Sequence, residues 1–180
     1  MTHSKIGLFY GSDTGSTEHV TDLIVKKLGK DLVETYDVYN AKASQFEPYN
    51  KLILGLSTWF DGDLQSDWEG FFEEFKQIDF TGKKVAIFGL GDQAGYGEYF
   101  IDGVGSLGQV VAENGGEIIG VWSTEGYDYE ASVAEFEEGW FMGLAVDEDN
   151  QRELTEERVD GWLTQLKEEF PLVEQPALES

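Results

Sequence analysis

The chain contains no cysteine, which removes disulfides, thiolate catalysis and iron–sulfur ligation from consideration. It is also short of cations: 12 Lys and Arg stand against 36 Asp and Glu, a net charge of −24. Nucleic acid is held through Lys and Arg at its phosphates, so that class of partner is disfavoured. No apolar run approaches the roughly 20 residues that a membrane-spanning helix needs. The opening residues, Met1-Thr2-His3-Ser4-Lys5, lead directly into an apolar stretch. No signal peptide is expected there, and the cytoplasm is the expected location. Excess acid favours partners with basic surfaces and fast, salt-sensitive encounters, though solubility or a saline habitat would account for it equally well.

What is present has a regular rhythm. Lys5 to Tyr10, Leu32 to Tyr39, Lys51 to Leu56, Val85 to Phe88 and Glu117 to Trp122 read as strands. Thr17 to Leu28, Asp67 to Gln77, a segment ending near Glu113, and Leu154 to Phe170 carry helical spacing. Continuous apolar strands alternating with helices predict a parallel sheet covered on both faces, a doubly wound α/β fold. The 180 residues suit one domain, expected over 1–170, with 171–180 as a flexible tail. Between Ser123 and Gly143 the rhythm breaks, and Leu144-Ala145-Val146 then looks like a further short strand.

Doubly wound sheets bind ligands beyond the carboxyl ends of their strands, at the switch in strand order. Three loops become candidates on that ground: 11–17, 57–65 and 89–97. No Lys or Arg occurs in 6–25, 52–75 or 85–151, so none of the three brings a cation. A nucleotide P-loop would carry a lysine after Gly15, where Ser16 stands. The dinucleotide pattern would continue from Gly89-Leu90-Gly91 to a third glycine, where Ala94 stands. Alanine is tolerated there, so the stronger objection is that no Arg is near to meet a 2′-phosphate. A phosphoacceptor receiver would need an Asp ending the third strand and a Lys ending the fifth, and Leu56-Ser57 and Trp122-Ser123 supply neither. Asp147-Glu148-Asp149-Asn150 hints at calcium, but Arg152 sits where an EF-hand loop needs glycine.

The first loop, Ser12-Asp13-Thr14-Gly15-Ser16-Thr17, offers hydroxyls, amides and the positive end of a helix dipole. One phosphate monoester neutralised by neutral donors fits it; an ordinary Ser/Thr-rich helix cap would read the same way. Trp59 in the second loop and Tyr96 in the third are aromatic rings at the same sheet edge. Two such walls would sandwich a planar heterocycle, although each ring alone would serve as core packing. Phosphate plus planar ring, without a cation, points to FMN.

These residues resemble the flavodoxin family. Ser12 to Thr17 is similar to its phosphate signature, (Thr/Ser)-x-Thr-Gly-x-Thr. Thr58-Trp59, with Gly62-Asp63-Leu64-Gln65-Ser66-Asp67-Trp68, looks like its second loop, and Gly89 to Tyr96 like its third. Trp122 to Tyr127 and Gly143 to Gln151 resemble the segments bounding the insertion of long-chain, cyanobacterial and algal members. The resemblance covers about Lys5 to Phe170. It implies a flavodoxin-like sheet of order 2-1-3-4-5 with a long insertion splitting strand five. It further implies non-covalent FMN and one-electron transfer between redox proteins by a monomer with no substrate chemistry of its own. Acids around a flavin with no nearby cation would penalise its reduced form, so a low potential is expected. Photosystem I or a reductase would be the donor, and ferredoxin–NADP reductase or another protein the acceptor.

Residue by residue, Ser12, Asp13, Thr14, Gly15, Ser16 and Thr17 would hold the phosphate. Ser57, Thr58, Trp59, Phe60, Asp61 and Gly62 would bind the cofactor from the second loop, with Trp59 and Tyr96 flanking the ring. Gly91 and Asp92 would meet the pyrimidine edge, and Asp147 would lie near the ribityl chain. Where relatives often place Asn or Gly, Phe60–Asp61 forms the peptide expected to rotate and stabilise a neutral semiquinone, with positive φ falling on Asp61. The Asp13 side chain is expected to point to solvent. An FMN-dependent NAD(P)H:quinone reductase is the competing enzyme class, and a regulatory flavin-binding module the third.

Overall fold

The computed structural model describes residues 5–170. The tail expected at 171–180 lies outside the described residues. Five parallel strands build the centre: β1 (Ile6–Tyr10), β2 (Val33–Asp37), β3 (Lys51–Trp59), β5 (Lys84–Leu90) and β10 (Leu144–Val146), in the order β10-β5-β3-β1-β2. Short β4 (Asp63–Leu64) folds back antiparallel on β3. Strand β6 (Glu117–Ile119) pairs with the first half of β5 and β10 with the second, so the fifth strand is split as expected.

Helices α1 (Ser16–Leu28) and α4 (Thr155–Glu169) cover one face; α2 (Ser66–Phe75) and α3 (Asp102–Glu113) cover the other. Each face closes over its own apolar cluster. Trp68, Phe71 and Phe75 of α2 pack with Phe46, Phe80 and Leu54, which makes that aromatic helix core packing. Ile24 and Val20 of α1 join Trp162 and Leu166 of α4 over Ile53 and Phe88. The β3–β5 contact is tight: a Cβ on Gly55 would sit 2.1 Å from the Phe88 ring.

The stretch without a period, 123–143, forms a small antiparallel sheet of its own, ordered β7-β9-β8 from Trp122–Ser123, Trp140–Phe141 and Glu135–Glu137. Strands of two or three residues are too short to carry an alternation, which explains why no period is legible there. Strand three also ends later than expected: Ser57-Thr58-Trp59, read as loop, are its last residues, held by the hairpin to β4. That hairpin makes the second loop a three-residue turn, 60–62.

Candidate functional site

At the carboxyl edge of the sheet lies a cavity of about 330 Å³, within the range of small-molecule sites. Asp13, Thr14, Ser16 and Thr17 line one end of it. Gly15 makes this possible. It caps α1 in the left-handed region (φ 95), which L side chains enter only at a cost. Ser12 does not line the cavity: its Oγ accepts the Gly15 and Glu18 amides at 3.0 and 3.4 Å. The four expected hydroxyls are therefore three facing inward, with Ser12 tightening the turn that aims them. The first-turn amides of α1 have no intrahelical acceptors and add a partial positive charge.

The second wall comes from the end of β3. Ser57, Thr58, Trp59 and Phe60 line it. Trp59 Nε1 is buried and has no partner. Thr58 Oγ1 accepts the Gly103 amide at 2.8 Å, tying this wall to α3. The turn differs from expectation in its strain: positive φ falls on Phe60 (48) and Gly62 (92), with none at Asp61. A three-residue hairpin loop places its left-handed residues by strand twist, which sequence spacing alone does not reveal. Asp61 lines a neighbouring, separate cavity, and Gly62 packs against the Asp102 carboxylate.

Leu90, Gly91, Asp92 and Tyr96 form the third wall. Phe60 and Tyr96 are 62% and 46% exposed, two aromatic faces left uncovered at the cavity rim. Burial pushes the Asp92 carboxyl up, but the Gly95 amide, the Asn150 side chain and the Ala94 amide together outweigh it and hold the group below its ordinary range.

A fourth wall goes beyond the three loops expected: Glu148, Asp149 and Arg152, from the loop after β10. Asp147, expected near the ribityl chain, is fully buried and does not itself line the cavity. Its carboxylate accepts from the amides of Gln93, Asp149 and Asn150 and from the Gln93 and Asn150 side chains. A carboxylate so surrounded anchors a loop and does not face a ligand. Burial and the charges of Asp92 and Asp147 raise Asp149. Arg152 corrects the reading of a cation-free site: the stretch without Lys or Arg stops one residue before it. The guanidinium is largely exposed and 3.8 Å from Glu148, a weak pair.

Asp13 is exposed, as expected, but its side chain is also held: Oδ1 accepts from Gln65 Nε2 at 3.0 Å and Ser66 Oγ at 2.7 Å, the residues that open α2. Gln65, fully buried, was missed by sequence reasoning; its place as the cap of α2, directly before Ser66, was the available signal. Among the described residues no His, Cys, Asp and Glu group could hold a metal. No helix there is long and apolar enough to cross a membrane.

The site thus combines a neutral-donor cradle, one buried unpartnered indole N–H and two rim aromatics around one cavity. It can hold a phosphate monoester at one end and a planar ring at the other. The chain as a whole is similar to known proteins of one family. The flavodoxin family model matches residues 8–162. Flavodoxin of a Nostoc species is 49% identical over 168 residues, 93% of this chain and 98% of that protein. Flavodoxin 1 of Escherichia coli is 46% identical over 168 residues, covering 93% and 96%. The crystal structure of Fusobacterium nucleatum flavodoxin bound to flavin mononucleotide superposes with a TM-score of 0.87 at 39% identity, covering 92% of this chain and 98% of that one. With most of its length matched by the family model and by relatives near half identical, the chain belongs to the flavodoxin family.

Proposed function

We infer that this chain is an FMN-binding electron carrier that shuttles single electrons between redox proteins. The observation that carries the reading is the single cavity joining the α1 cradle to the Trp59 and Tyr96 walls. The residues fit the group. Buried Trp59 Nε1 lacks an acceptor, and a phosphate ester at the cradle would supply one.

In this reading Thr14, Ser16, Thr17 and the first-turn amides of α1 hold the phosphate. Trp59 and Tyr96 cover the ring, and backbone groups at Gly91 and Asp92 meet its polar edge. Bound FMN supplies the one-electron redox chemistry, so no nucleophile or general base is required of the chain. Asp13, Asp92, Glu148 and Asp149 surround the cavity with negative charge and disfavour the addition of more, which favours a low potential. Four acids against one exposed arginine set that balance.

The partners are redox proteins with basic docking faces, ferredoxin–NADP reductase and photosystem I being fitting examples, met in the cytoplasm by a monomer. Net charge −24 supports the basic-face requirement and disfavours self-association. Mixing the FMN-loaded protein with NADPH, with and without catalytic ferredoxin–NADP reductase, tests this. Reduction that needs the reductase is expected. Direct oxidation of NADPH by the isolated protein would favour a quinone reductase instead.

A further inference from the structure

Gln93 is nearly fully buried, and every polar atom of its side chain is used. Its Nε2 donates to Asp147 Oδ2 at 2.6 Å and to Gln151 Oε1 at 2.9 Å. Its Oε1 accepts the Asp128 amide at 2.6 Å, and its own amide reaches Asp147 Oδ2 at 3.1 Å. One side chain therefore joins three segments that are far apart in sequence: the third cavity loop, the insertion, and the loop after β10.

The neighbours of Gln93 on its own loop are cavity walls. Asp92 Oδ1 accepts the Ala94 and Gly95 amides at 3.1 and 2.7 Å, and the Tyr96 amide donates to the Asp92 carbonyl at 2.9 Å. That turn is stiff, so displacing Gln93 displaces Asp92 and Tyr96 with it. The insertion holds the other end of the same loop, where the Gly97 carbonyl accepts the Glu130 and Ala131 amides at 2.8 and 3.0 Å. Asn150 closes the circuit by donating to Asp92 and Asp147 at 2.8 and 2.9 Å. The insertion end is fixed in turn by Arg158, whose guanidinium lies 4.0 Å from the Tyr127 ring centre and donates to the Gly126 carbonyl.

We propose that Gln93 is a positioning residue for the flavin: through it the 123–143 insertion sets the place of Tyr96 and Asp92 and so the affinity of the ring half of the site. This rests on the FMN reading above. Gln93 touches neither the α1 cradle nor the cavity itself, so its effect falls on ring binding and leaves phosphate binding alone.

The charges around Gln93 supply a sharp test. Carboxylates of Asp92, Asp128, Asp147 and Asp149 stand on the three joined segments, and Arg158 approaches the insertion end. Gln93→Glu sets an acid where an amide N–H now meets Asp147. Two ionised carboxylates in hydrogen-bond contact repel each other, so the pair pushes the joint apart at high pH and takes up a shared proton as pH falls. The protonated acid donates to Asp147 as the amide did.

FMN and riboflavin binding to apoprotein, read by fluorescence quenching between pH 5 and 8, decides the matter. Wild-type apoprotein that binds no FMN would defeat the cofactor reading itself. Given wild-type binding, Gln93→Glu is expected to bind both flavins at least tenfold more weakly than wild type at pH 8. The deficit should shrink to within about threefold at pH 5, one tenfold step being about 1.4 kcal/mol. Gln93→Leu should lose both affinities at every pH, while Gly15→Ala loses FMN affinity alone. Wild-type affinity in Gln93→Glu at pH 8, or a deficit that ignores pH, would overturn the proposal. So would a Gln93→Leu protein that melts earlier yet binds both flavins normally.

Discussion

Phe60 and Ile101 are the two non-glycine residues with left-handed backbone among those described, at φ 48 and 45, and both stand beside the cavity. Phe60 lines it; Ile101 backs Gly91, where a Cβ would meet it at 3.2 Å. Strain gathered at one site marks a place where geometry is held for a purpose. Asparagine tolerates this region better than phenylalanine, and Phe60 buries little. Phe60→Asn should therefore stabilise the apoprotein by about 0.5–1 kcal/mol in urea unfolding, while weakening flavin retention. Unchanged stability would mean that the turn relaxes without cost. Asp149 gives a pH-dependent counterpart. Burial and neighbouring acids raise its carboxyl, so its ionised form destabilises the fold above that raised value and the penalty disappears as pH falls below it. Asp149→Asn should melt higher than wild type at pH 8, with the gap closing toward pH 4. At this scale the sequence is only partly legible. Thr14, Gly15 and Trp59 announce themselves by type and spacing. The burial of Asp147, the approach of Arg152 and the joint at Gln65 arise from chain segments meeting in space, which spacing does not encode.

Among the elements, β3 and its hairpin matter most, because they carry the cavity wall out of the sheet. Two devices fix them. Trp68 Nε1 of α2 donates to the buried Gly55 carbonyl at 2.8 Å, and Gly55 leaves room for the Phe88 ring. Trp68→Phe should cost about 1–2 kcal/mol by losing that bond. Gly55→Ala should cost about 1–3 kcal/mol by forcing Phe88 aside. Chemical denaturation of the apoprotein reads both, and a neutral result for either would show that the two strands adapt. The alternation of apolar strands and amphipathic helices makes the doubly wound sheet readable from the sequence. The split fifth strand is readable too, through the family likeness of the segments that bound the insertion. The small sheet at 123–143 is not. Its strands are two or three residues long and half exposed, so neither burial nor period leaves a pattern.

Across the whole molecule, charge is the dominant quantity. With 36 acids and 12 Lys and Arg, self-repulsion opposes the compact state at low ionic strength. Raising NaCl from about 10 mM to about 0.5 M shortens the Debye length from roughly 30 Å to a few Å and should raise the melting temperature of the apoprotein. It should also slow association with a basic redox partner, since the same screening removes electrostatic steering. A melting temperature indifferent to salt would mean that the charge is already balanced locally. The same acids shape the redox account: a destabilisation of the fully reduced flavin by about 1.4 kcal/mol lowers a one-electron potential by about 59 mV. Asp63 is exposed beside Trp59 and Phe60. Reversing it to Lys should raise the lower potential. The most direct measurement is a potentiometric titration of the FMN-loaded protein at pH 7, followed by its visible spectrum. Two resolved one-electron steps, the second well below that of free FMN, are predicted; a single two-electron step at the potential of free FMN would contradict the account.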